Sequence, residues 1–115
     1  MSERIKALTD AVTLLASDPV HQLEHLCKLG LPEAIDELAL EFDALAAASD
    51  DLRRLKELDG NQYASIKKLD DFLLCMSGQN NFHLWTAEAI SSAPEWKELR
   101  NVASECLRLL NQSTS

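Results

Sequence analysis

Apolar residues recur along this chain every three or four positions and nowhere alternate every second one, so the pattern predicts helices throughout. Ile5, Leu8, Val12 and Leu15 share one face of a first helix that Ser2 can cap and that runs to about Ala16. Asp18 and Pro19 then supply an N-cap and a first helical residue for a short second helix, with Val20, Leu23, Leu26 and Cys27 as its apolar side and Gly30 as its stop. Pro32 opens a third helix to about Ala48. It is the cleanest amphipathic segment, with Ile35, Leu38, Phe42 and Leu45 on one side and Glu33, Glu37 and Glu41 on the other. Ser49, Asp50 and Asp51 are placed to cap the next helix, which carries Leu52, Leu55 and Leu58.

The segment that follows supports two readings. Asp59-Gly60-Asn61 has the composition of a turn, which gives two helices. At 100° per residue, however, Leu52, Leu55, Leu58, Tyr63, Ile66, Leu69, Leu73 and Met76 form one stripe, which gives a single helix from about Asp50 to Ser77 at a cost of roughly 1 kcal/mol for the glycine. In the single helix Asp59 and Gln62 would face the core. Gly78 ends the segment, and Gln79-Asn80-Asn81 leads into a shorter helix with Phe82, Trp85 and Ala89, where the three-residue spacing of Phe82 and Trp85 predicts core positions. Ser92-Ala93-Pro94-Glu95 reads as a capping box for a last helix whose inner face is Trp96, Leu99, Ala103, Cys106 and Leu110. Residues 111–115 are polar and are expected to fray.

These elements predict an all-α protein, an antiparallel helical bundle of five to six helices, with residues 1–115 as a single helical domain. Helix pairs divided by Pro-initiated starts would also suit a short α-solenoid, but no residue signature repeats, which favours the bundle. The length of 115 residues suits one core. Three glycines, three prolines and 5% aromatics are too few turn and strand formers for a many-stranded sheet protein.

The net charge of −8 argues against nucleic-acid binding, which needs clustered Lys and Arg, and favours a basic partner. No apolar run approaches the ~20 residues that span a bilayer, and the opening residues carry charges where a signal peptide is apolar, so no membrane association and a cytoplasmic location are expected. Cys27, Cys75 and Cys106 are an odd number without a C-x-x-C pair, in keeping with a reducing compartment. Cys27 and Cys106 fall in apolar register and are expected to be buried. Cys75 lies off the stripe and is expected to be exposed.

His21-Gln22-Leu23-Glu24-His25 resembles the H-x-x-E-H string of the inverzincin metalloproteases. That resemblance implies zinc on His21 and His25 and a general base at Glu24. It covers five residues, needs a third ligand that could only be a residue such as Glu98 or Glu105, and lacks the large α/β scaffold of that family. The string is therefore read as a chance match, with no catalytic residue, no metal and no cofactor assigned. His21 and His25 remain the candidate metal ligands. A small-ligand or metal-binding domain built on His21, Glu24 and His25, with His83, is the alternative function. No G-x-G-x-x-G, P-loop, G-x-S-x-G or EF-hand pattern is present.

The leading expectation is a non-catalytic protein-interaction module of inhibitor, immunity, adaptor or chaperone type, with homodimerisation left open. Glu33, Asp36, Glu37, Glu41 and Asp43 spread over the outer face of the third helix around Leu40, and no Lys or Arg occurs between Glu33 and Asp51. Such a surface suits a basic protein partner. Asn81, Phe82 and Trp85 combine amides with aromatic rings and form a secondary candidate surface.

Overall fold

In the computed structural model, which describes residues 3–30, 35–47, 49–56 and 58–111, every described element is helical. The α-helices are α1 (Glu3–Ala16), α2 (Pro19–Lys28), α3 (Glu37–Ala46), α4 (Ser49–Arg54), α5 (Gly60–Met76), α6 (Ala87–Ser92) and α7 (Pro94–Asn111), and a 3₁₀ turn spans Gln79–Leu84. Among the described residues there are thus seven α-helices where the spacing gave five or six.

Four of them carry the architecture. α1 packs on α7, α7 on α5, α5 on α3, and α3 back on α1, which closes a ring of four helices. The short α2, α4 and α6 and the 3₁₀ turn lie on the edges of that ring. The first and last long helices form the most extensive pair, and one buried cluster draws residues from every helix. A solenoid, in which each repeat meets only its neighbours, is excluded.

Several local expectations are corrected. The two-helix reading of residues 50–77 is the right one, but the break falls earlier than Gly60. Lys56 has a φ of 64°, the left-handed conformation that ends α4, and the Leu58 amide reaches back to the Leu52 carbonyl. Asp59 then caps α5. Its carboxylate accepts from the Gln62 amide at 2.7 Å while Gln62 Oε1 accepts from the Asp59 amide at 2.8 Å, a reciprocal capping box. Gln62 is buried and its Nε2 also donates to the Leu109 carbonyl of α7 at 3.1 Å, so the polar position costs little. Leu55 is exposed once the stripe is broken.

The capping box expected at Ser92 does not form. Ser92 ends α6 and donates to the Glu88 carbonyl at 2.8 Å, while the Ala93 carbonyl accepts the first amides of α7. Ser49 is the first residue of α4, buried, with no hydrogen-bond partner for its hydroxyl among the described residues. On α2 the apolar register holds for Leu26, which is buried, and for Leu23, which packs against the core, but not for Val20 and Cys27, which are exposed, and Gln22 is fully buried. Gln22 Nε2 donates to the Leu14 and Leu15 carbonyls at 3.2 and 3.1 Å, which serves the open end of α1, and Oε1 accepts from Arg100 of α7 at 3.3 Å. Cys75 is exposed and Cys106 buried, as their registers predict. Residues 1–2, 31–34 and 112–115 lie outside the described residues, and with them Ser2, the Pro32 helix start, Glu33 and most of the expected frayed end. Ile35 and Asp36 form a turn, so the described part of α3 begins at Glu37.

Candidate functional site

The stretch from Asn80 to Trp85 is organised by its two neighbouring tryptophans. Trp96 is fully buried on α7, and its indole donates to the Leu84 carbonyl at 2.5 Å. Trp85 meets it edge to face, with ring centroids 5.4 Å apart, and donates to the Met76 carbonyl at 2.8 Å. Asn81 Nδ2 donates to the Cys75 and Ser77 carbonyls, both at 3.0 Å, and so closes the end of α5. Gly78, with φ of 103°, allows the chain to reverse between α5 and the 3₁₀ turn. These anchors leave Leu84 buried and turn Phe82 outward, 71% exposed. The core position expected of Phe82 is therefore corrected: the 3₁₀ turn ends at Leu84 and Trp85, with φ of −102° and ψ of 49°, departs from helical geometry, so residues 82 and 85 do not share a face.

Phe82 projects beside a groove of about 390 Å³ between α3 and α5. Ile35 and Leu73, both buried, lie at its base, and the half-buried Trp85 closes one side. Leu40 from α3 and Leu74 from α5, exposed by 49% and 62%, complete the apolar lining. The ionisable side chains that line it are Asp36, Asp43 and Asp70, and no Lys or Arg is among the described lining residues. Asp43 and Asp70 come close enough to act on one another. Partial burial and then the charge and hydrogen bonding of Asp43 push the Asp70 carboxyl above the ordinary carboxylate range, with Lys67 pulling it down and Asp71 adding to the rise.

The structure thus divides the expected acidic face and merges part of it with the aromatic surface. Asp36, Leu40 and Asp43, one strip of α3, share the groove with Phe82 and Trp85. Glu41, on the adjacent strip, instead lines a separate hollow of about 330 Å³ with Asp10, His21, Glu24, His25 and Lys28. Glu37 is half-buried and lines neither, and Asn81 serves as a cap. The missing cations of residues 33–51 come partly from elsewhere: Asp51 pairs with Arg54, and Asp50 accepts from the Tyr63 hydroxyl and lies 3.8 Å from Lys67 Nζ. Asp70, Leu73 and Leu74 were missed by sequence reasoning. The available signal was a leucine off the helical stripe, for Leu40 and Leu74 are both of that kind.

The histidine hollow has a different character. His21 Nδ1 bonds Asp18 Oδ1 at 2.8 Å, the same carboxylate that caps α2 by accepting from the His21 amide at 2.9 Å. Hydrogen bonding to Asp18 and its charge raise the His21 pKa, and the bonds from His21 lower that of Asp18. Among the described residues no three His, Cys, Asp or Glu side chains converge on a point where a metal ion could sit. Cys106 accepts from Ser65 Oγ at 3.3 Å, and burial pushes its thiol up, away from the reactive thiolate.

With protein-family models, curated proteins and solved structures alike, the chain gives no match. Function is accordingly argued from the groove. No described helix is long and apolar enough to cross a membrane.

Proposed function

We propose that this protein is a non-catalytic binding module that takes an apolar, basic segment of a partner protein into the groove between α3 and α5. One observation carries the reading. Of the six strongly exposed large apolar side chains among the described residues, Leu40, Leu74 and Phe82 converge on one groove, and the ionisable groups lining it are all acidic. Isolated exposed leucines need no explanation, whereas a cluster with a charged border has the anatomy of an interface. The anchored tryptophans hold Phe82 in place beforehand, which lowers the ordering cost of binding. An acidic border steers a basic partner toward the site, and the apolar centre then slows its departure.

Differential capture tests this. Wild type, Leu40→Ala with Phe82→Ala, and Val20→Ala with Leu55→Ala are compared for the proteins they retain from a cell extract. A specific partner should be lost with the groove pair and kept with the other pair, whose side chains are equally exposed but lie outside the groove. Asp36→Lys with Asp43→Lys should also abolish retention, while Glu37→Lys with Glu41→Lys, which leaves the groove untouched, should preserve it. Identical retention by all variants would overturn the reading.

A further inference from the structure

The seam between α3 and α5 is the sparsest side of the four-helix ring. α3, of 10 residues, meets α5, of 17, more sparsely than either meets its other neighbour in the ring, and the groove opens between them. The apolar side chains left open there, Leu40 and Leu74 on the two walls and Phe82 at the end, are placed as they would be beneath one more helix.

We propose that the occupant of the groove is a single amphipathic helix of a partner protein, its apolar stripe on Leu40, Leu74 and Phe82 and one Lys or Arg seated between Asp43 and Asp70. This rests on the groove reading above and adds the occupant's conformation and one fixed charge. The conformation follows from the walls. They are helices and a 3₁₀ turn, with no strand among the described residues, so an extended segment would find no sheet edge to satisfy its amides and carbonyls. A helix satisfies its own and offers apolar side chains at i, i+3 or i+4, and i+7 to a groove of this kind.

The charge follows from the carboxyl pair. Asp43 and Asp70 repel, at a partly buried position where water screens less well, and Lys67 on α5 offsets this only in part while Asp71 adds to it. A cation placed between them relieves the repulsion and gains charge-assisted hydrogen bonds. The same carboxylates disfavour the competing occupants. A second copy docked about a two-fold axis would bring Asp36, Asp43 and Asp70 against themselves, on chains of net charge −8 each. Phosphates of a nucleic acid or an anionic membrane would be repelled as well.

The test is an NMR titration of the intact chain with three synthetic peptides of about 18 residues, long enough for a stable bound helix. The first is amphipathic, with Leu at i, i+3, i+4 and i+7 and Lys or Arg on its flanks. The second replaces each Lys and Arg with Gln, and the third scrambles the first. The first peptide should shift the Leu40, Leu74 and Phe82 signals and move the Asp70 carboxyl titration to lower pH, and the other two should bind about tenfold more weakly or worse. Asp43→Asn with Asp70→Asn should bring the first and second peptides to equal affinity, with unchanged helicity by circular dichroism. Equal binding of the first two peptides to wild type would overturn the seated cation and the basic character of the partner, while leaving the apolar groove as the place of binding. Failure of all three peptides, beside a groove-dependent partner found by capture, would overturn the helix. Groove shifts that grow with protein concentration alone would assign the surface to a second copy, also against the proposal.

Discussion

Asp18 performs two tasks at once, and they are separable by substitution. Its carboxylate accepts from the His21 amide as the cap of α2 and from the His21 ring as a partner in an ion pair. Because the folded pKa of His21 is raised, its share of the stabilisation is present below the ordinary imidazole value of 6.5 and is lost as pH rises through the raised value. Asp18 is held below its ordinary 3.8, so its share is present above that value and is lost as pH falls through the lowered one. The pair therefore supports the start of α2 between the carboxylate and imidazole ranges. Asp18→Asn should keep the cap, since Asn caps as well as Asp, while the His21 midpoint in an NMR titration returns toward 6.5. An unmoved midpoint would show that the Asp18 charge is not what raises it. The cap was legible from Asp18-Pro19 alone. The ring contact was not, because it depends on a side-chain rotamer that no spacing rule fixes.

At the scale of the element, the junction of α4 and α5 shows where the strain sits. Lys56 occupies the left-handed region, where its Cβ crowds the following carbonyl, and Gly60, the residue suited to that region, lies inside the first turn of α5. Among the described residues, a methyl group added at Gly60 would meet only the Arg53 guanidinium, at an ordinary contact distance of 3.7 Å. Lys56→Gly should therefore stabilise the protein by about 1 kcal/mol, and Gly60→Ala by about 0.5 kcal/mol. Thermal unfolding of both variants checks this, and a fall in Tm for Gly60→Ala would show that the first turn of α5 needs its glycine. The sequence offered both a turn and a continuous stripe here. The choice was made by Leu58 turning into the core and by Gln62 reaching Leu109, a partner 47 residues away.

The whole molecule is tied by contacts that join distant parts of the chain, and Gln22 stands at the centre of one. It links the end of α1, through Leu14 and Leu15, to Arg100 on α7, which also donates to the Ile90 carbonyl of α6 at 3.0 Å. Gln22→Ala should cost about 2 kcal/mol, since it takes a hydrogen bond away from the buried Leu15 carbonyl, the partly buried Leu14 carbonyl and the half-buried Arg100 guanidinium. A urea titration should show a lower midpoint with an unchanged slope, and a loss under about 0.5 kcal/mol would show that water replaces the amide. The all-α class, the cap at Asp18, the inner faces of α1 and α7 and the exposure of Leu40 were determined by the sequence alone, because each depends on local residue type and on spacing with a period of 3.6. The burial of Gln22, the outward turn of Phe82 and the meeting of Leu40 with Leu74 and of Asp43 with Asp70 were decided only by the tertiary structure. Each joins residues far apart along the chain, and helical periodicity says which face of a helix is apolar without saying which other helix will lie beside it.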